Sequence, residues 1–226
     1  MPVRAHKTED SGTFLRKIYD RLESHFGDLG WWPAESGFEV IAGAILTQNT
    51  AWSNVEKAIE SLKRKKLLNP AGIVRSRTAV LSRVIRSAGY YRVKAGRLKE
   101  ISRFIMAECG GDLGKLKSKN TVELREKLLE VKGVGPETAD SILVYALEKP
   151  VFVVDVYTKR IFSRHGLIME DTAYDRVQDL VHRSLPRKRR TMNQFHALLV
   201  ETGKTFCKKR SPLCETCPLK GLSRTI

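Results

Sequence analysis

Long apolar runs are missing from this 226-residue chain. The stretch from Phe38 to Leu46 is broken by Glu39 and falls far short of the roughly 20 residues that a spanning helix needs, so no membrane segment is expected. The opening residues, MPVRAHKTEDSG, have no apolar core ahead of their acids. A secretory signal is therefore not expected, and the cytosol or nucleoid is the expected location. Cysteine is scarce, with four residues in all, which argues against a disulfide framework. Strand-type alternation is rare as well. Acid is short relative to base: 25 Asp and Glu stand against 41 Lys and Arg, a formal charge of +16. What remains is an ordinary globular composition, 42% hydrophobic and 29% charged, with material for one large or two small intertwined domains. The basic excess suits a surface that neutralises phosphates, so nucleic acid leads over an acidic protein or membrane as partner. Three of the cysteines crowd into Cys207 to Cys217, a clustering that points to metal or cluster ligation.

Apolar residues recur at three- and four-residue intervals nearly throughout, so the fold class expected is all-α. Ser36-x-x-Glu39 is a capping-box pattern ahead of Phe38, Ile41, Ala42 and Ile45, and predicts a helix ending near Leu46. Ala95, Leu98, Ile101 and Ile105 predict another, stopped by Gly110-Gly111. Asn120-x-x-Glu123 opens a third. Tyr174, Val177 and Val181 mark a later amphipathic helix, ended by Pro186 and followed by the basic run Arg187 to Arg190. No fixed-period repeat or low-complexity linker divides the sequence.

Residues 128–143, LLEVKGVGPETADSIL, read as an apolar helix end, a glycine-bracketed turn and a second helix start. Gly133 and Gly135 can supply positive φ and close approach, and Pro136 suits the first helical position. Backbone N–H groups exposed at such a turn, backed by a helix dipole, form a phosphate seat indifferent to base sequence. A plain αα corner has the same pattern. Asp155 follows the apolar run Val151 to Val154 about twenty residues beyond the hairpin and precedes another helical pattern. It reads as an N-cap. A half-buried carboxylate beside a DNA backbone could also stabilise positive charge on a sugar and orient a water.

GVGPETAD followed by VVDVYTKR resembles the helix-hairpin-helix, Gly/Pro-rich loop and aspartate signature of the endonuclease III superfamily of base-excision DNA glycosylases. The resemblance runs from about Phe38 to Cys217 and takes in LTQNT at 46–50 and GYYRVKA at 89–95. It implies two helical domains: a six-helix barrel over 35–150 carrying the hairpin, and a second formed by 1–34 plus 151–226 with a cysteine-rich loop at 207–223. Double-stranded DNA with a damaged base would lie in the cleft between them, gripped at Lys132, Gly133, Val134 and Gly135. A monomer is the family default.

Bifunctional members carry a lysine two residues after the second hairpin glycine, where it forms a Schiff base with the sugar. This chain has Glu137 there. A carboxylate cannot form an imine, so a monofunctional enzyme using water, with Asp155 and Glu137 as catalytic groups, is expected. An acid in the first turn of a helix also complements the macrodipole without any such role. All three tryptophans fall early in the chain. Trp31, Trp32, Pro33 and Trp52 are expected to line a lesion pocket, where a π face attracts a cationic alkylpurine by ~1–2 kcal/mol when desolvated. Core or inter-domain packing is the alternative reading for one of Trp31 and Trp32. Gln48 and Asn49 would enter the gap left by the extruded base, unless they merely end a helix. WWP, LTQNTAW and the hairpin glutamate together resemble the 3-methyladenine DNA glycosylase III branch.

Cys207-x6-Cys214-x2-Cys217 reproduces the spacing of the first three ligands of the endonuclease III 4Fe-4S loop, with Ser223 where the fourth cysteine belongs. The resemblance implies a structural 4Fe-4S cluster with serine as the odd ligand. Zinc with a distant histidine such as His196 is the rival. The function expected is excision of an alkylated purine such as 3-methyladenine. The alternatives are a pyrimidine-damage or mismatch glycosylase with AP lyase activity through a lysine such as Lys132, and a non-catalytic module that binds damaged DNA.

Overall fold

A computed structural model describes residues 10–32 and 34–222. Pro33 and Ser223 lie outside the described residues. The described chain is helical throughout, and no strand occurs among the described residues. It divides into two compact units: Trp32 to Lys149, and the residues up to Trp31 joined to those from Pro150 onward.

Helix α1 (Ser11–Phe26) opens the second of these units, capped by Asp10, whose carboxylate accepts the amides of Gly12 and Thr13. The 32–149 unit is built around α2 (Gly37–Leu46), in which every residue from Val40 to Leu46 is buried. A helix apolar on all sides has to sit at a centre. Packed on it are α3 (Trp52–Arg64) and, beyond the short α4 (Pro70–Arg75) and α5 (Thr78–Val84), the long α6 (Tyr91–Cys109). Gly110 ends α6 in the left-handed conformation at φ 65°, as the glycine pair predicts. After α7 (Leu113–Lys117), α8 (Thr121–Glu130) starts at Asn120, whose side chain accepts the amides of Val122 and Glu123. Helix α9 (Pro136–Ser141) begins with proline at its first position and widens into a π-turn over Ile142–Ala146 that packs on α2.

The capping box at Ser36 forms by half. Ser36 Oγ accepts the Glu39 amide at 3.2 Å. The Glu39 carboxylate turns instead to the Glu35 amide and to Lys63 of α3, 3.1 Å away. Two buried lysines end other helices of this unit. Lys94 donates to the carbonyls of Leu46 and Ala88 at 2.8 and 2.7 Å, and Lys99 to those of Val74 and Ser76. Each ammonium meets the negative end of a helix, where terminal carbonyls otherwise lack partners.

In the other unit, α10 (Val156–Arg164), α11 (Tyr174–Ser184) and α12 (Arg189–Thr205) complete the set. Helix α1 packs on α11 and α12, and α10 lies along α12. The last contact is close: a Cβ on Gly203 would come within 2.3 Å of the Tyr157 ring, so only glycine lets the two backbones approach this far.

Candidate active site

The hairpin is held by two side chains from elsewhere in its unit, Gln48 and Arg97, and by an ion pair of its own. Gln48, just past α2, donates to the Gly133 carbonyl at 3.1 Å and to Thr138 Oγ1 at 3.0 Å, and accepts from Arg97 of α6. Arg125 of α8 makes a bidentate pair with the fully buried Asp140 of α9, at 2.8 and 3.1 Å, joining the two hairpin helices. Gly133 takes φ 91°, as a tight turn requires, and its α-carbon backs onto the Arg97 stem. Gly135 does not use positive φ. It sits at −100° as the residue before α9, with nothing within 4 Å of where a Cβ would stand, so the backbone there is open to approach. Val134 is buried and its amide donates to the Val131 carbonyl at 3.0 Å, so that N–H is not offered to a phosphate. Lys132 is exposed beside the turn, and Glu137 is exposed in the first turn of α9. Asn49 is exposed at φ 53°, next to the engaged Gln48.

Asp155 caps α10. Its Oδ1 accepts the Thr158 amide at 2.7 Å. The sequence suggests a half-buried carboxylate; the structure buries it to 9% exposure, because Val151 to Val154 carry the chain through the core immediately before it. Its Oδ2 faces Nε2 of His196 at 3.5 Å, and that imidazole is itself only 6% exposed. Burial alone would raise the Asp155 pKa. His196, with the Thr158 amide, outweighs it and holds the carboxyl below its ordinary value. The site is thus a buried carboxylate kept ionised. His196 went unrecognised as a partner because it lies 41 positions later, amid the apolar run Phe195 to Val200.

Trp31 packs edge-on to His196 with Lys204 5.2 Å over its ring. Trp32, at φ 65°, packs within the 32–149 unit and meets Trp52 edge-to-face at 5.3 Å and Tyr145 at 5.0 Å. A left-handed backbone at a bulky residue is strained. Trp32 and Trp52 line a cavity of about 220 Å³. Its remaining walls include Gly43 and the charged Glu39, Glu56, Glu60 and Lys63. Gly43 gives the Trp32 ring room, since a Cβ there would stand 3.2 Å from it. Lys63 is bound by Glu35 at 2.9 Å and Glu39 at 3.1 Å, and those carboxylates raise its pKa. The cavity wall is acidic in a strongly basic protein.

The cysteine loop is tied down by cations. Arg160 donates to the carbonyls of Cys207 and Gly203 at 2.7 and 3.0 Å, and Arg164 points a guanidinium N–H at Cys207 Sγ, 3.3 Å away. Burial raises the Cys217 pKa, with Cys207 and Cys214 adding to the rise against the Leu219 amide. Among the described residues, however, no three His, Cys, Asp or Glu side chains are gathered so as to hold a metal ion.

Residues 42–187 match the family model described as HhH-GPD superfamily base excision DNA repair protein. A candidate DNA repair glycosylase of Methanocaldococcus jannaschii is 46% identical over 94% of this chain and 96% of its own length. The endonuclease III of Thermotoga maritima is 31% identical over 81% of this chain and 80% of its own. A solved structure of the H. pylori 3-methyladenine DNA glycosylase bound to 1,N6-ethenoadenine matches with a TM-score of 0.69 at 30% identity, covering 87% of this chain and 98% of that one. With its hairpin, its following proline and its capping aspartate in place, the chain belongs to the HhH-GPD superfamily and is a DNA glycosylase of base excision repair.

Proposed function

We propose that this glycosylase hydrolyses the N-glycosidic bond of a cationic, N-alkylated purine such as 3-methyladenine, without an imine intermediate. The observation that carries this reading is the wall of the Trp32–Trp52 cavity, with two indoles and three glutamates against one lysine that is already paired. π faces and carboxylates both favour a cation over a neutral base. A hollow of about 220 Å³ also suits a single ring system better than the drug-sized ligands that fill roughly 300–1,000 Å³.

Alkylation at N3 or N7 makes the purine a leaving group that departs neutral, taking the bond electrons with it. What the protein must supply is stabilisation of the positive sugar, and Asp155 is the group proposed for that. Water then attacks the anomeric carbon and loses a proton to solvent. Glu137 is proposed to add negative potential from the head of α9. The duplex would be held at the hairpin backbone by Lys132, Gly133 and Gly135, with Asn49 on the gap side beside the engaged Gln48, by a monomeric enzyme. A 4Fe-4S cluster on Cys207, Cys214, Cys217 and Ser223 would have a structural role only.

Incubation with methylated duplex DNA and chromatography of the released bases tests this reading; free 3-methyladenine is expected, and its absence sinks the substrate assignment. A second reading, a pyrimidine-damage glycosylase with lyase action through Lys132, draws on that lysine's exposure beside the turn and on the T. maritima relative. Borohydride trapping on abasic DNA separates the two, since only a lyase leaves a covalent adduct.

A further inference from the structure

We infer that His196 is a positioning residue for base excision: it fixes the rotamer of Asp155 and keeps that carboxylate ionised while the sugar becomes positive. The inference rests on the reading of Asp155 as the group that stabilises the sugar. His196 stands in the middle of α12, where Phe195, Ala197, Leu198 and Leu199 are all buried. A lone histidine in such a run is ordinarily packing. This one is aimed at another buried ionisable group, with Nε2 3.5 Å from Asp155 Oδ2. The second carboxylate oxygen is already engaged by the Thr158 amide at 2.7 Å, so the two contacts together set the plane of the carboxylate.

The imidazole is set in turn by two rings that meet it nearly at right angles. Trp31 does so at 83° and Phe152 at 82°, both with centroids 6.4 Å away. Trp31 thereby has a place in the account that requires no direct contact with the lesion: it holds the residue that holds the acid. Other charged and titratable groups on the elements around the pair have partners of their own. Lys159 donates to the Thr172 carbonyl, Arg160 to the carbonyls of Cys207 and Gly203, and Glu201 accepts from Thr205. His182 accepts the Phe152 amide, the Tyr174 hydroxyl accepts the Val154 amide, and Lys204 lies over Trp31. His196 is the side chain whose ring nitrogen faces the Asp155 carboxylate directly, 3.5 Å away. Removing it leaves a buried carboxylate with burial pushing its pKa upward, and a protonated acid cannot stabilise a sugar cation.

The test is single-turnover release of 3-methyladenine across a pH series by wild type, H196F, H196Q and D155N, with duplex binding measured alongside. H196F is expected to lose about tenfold at neutral pH, the loss expected when one charge-assisted contact is removed. That loss should deepen toward acid as the acid limb moves to higher pH. H196Q, which retains a donor, is expected to recover most of the rate, and duplex binding should change less than about twofold in either. H196M carries the same comparison if H196F does not fold. An acid limb in H196F identical to that of wild type, or H196Q no better than H196F, overturns the inference alone. Wild-type turnover by D155N overturns the underlying reading and the inference together.

Discussion

Replacing Gly133 with alanine should damage the hairpin in two separable ways. At φ 91° an L-residue is strained, at a cost of ~1–3 kcal/mol. The new Cβ would also fall 2.5 Å from Arg97 Cγ and 2.8 Å from its Cδ, far inside contact distance. The arginine stem has to move, and its head then leaves Gln48, the residue that bridges α2 to the hairpin. Losing that charge-assisted bond costs a further ~1.5–3 kcal/mol. The sum is about 2.5–6 kcal/mol. Urea denaturation of G133A, R97A and the double variant isolates the second contribution, because without the Arg97 side chain only backbone strain remains. G133A is therefore expected to cost ~1.5–3 kcal/mol less in the R97A background than in wild type. Equal costs in both backgrounds, within ~0.5 kcal/mol, would refute the view that Arg97 and Gly133 share one close-packed contact.

Burial, with Arg97 nearby, lowers the pKa of Lys94 from 10.5. A cation so depressed costs stability while charged, and that cost fades as the pH rises through the folded value toward 10.5. Wild type should thus gain stability relative to K94M over that window, and a pH-independent difference between their urea midpoints would contradict this. E137K restores a lysine at the head of α9, and borohydride trapping on abasic DNA is expected to give an adduct in that variant but none in wild type. An adduct with wild-type protein counts against the monofunctional proposal. W52A should weaken binding to duplexes carrying a cationic lesion by ~1–2 kcal/mol while leaving undamaged duplex unaffected; equal loss on both would show that the cavity does not discriminate by charge. Metal analysis of the purified protein should find about four iron atoms per chain if Ser223 completes the cluster, whereas iron near zero removes the cofactor from the proposal.

Much of the architecture is local and was therefore legible. Ser36, Asn120 and Asp155 cap the helices their spacing predicts, and Gly110 and Pro136 do what their backbone chemistry demands. What the sequence hides is tertiary. Glu39 abandons its reciprocal cap because α3 brings Lys63 within 3.1 Å, a contact no short pattern encodes. Gln48 reads as a free amide for a DNA gap, yet its side chain is engaged with Gly133, Thr138 and Arg97. The left-handed backbone at Trp32, φ 65°, is not encoded by any short pattern either. His196 reads in sequence only as a distant zinc ligand, because its contact with Asp155 joins residues 41 positions apart, and the acidity of the Trp32–Trp52 cavity appears only when Glu39 of α2 and Glu56 and Glu60 of α3 come to one wall.

The central claim is that a buried, ionised Asp155 carries the excision step. Single-turnover release of 3-methyladenine from methylated duplex by D155N tests it most directly, with binding to the same duplex measured in parallel. Asparagine preserves the cap on α10 and removes only the charge. The account predicts a rate lower by roughly 10²–10³ with near-normal binding. A rate within about twofold of wild type, a small fraction of that expected loss, would contradict it.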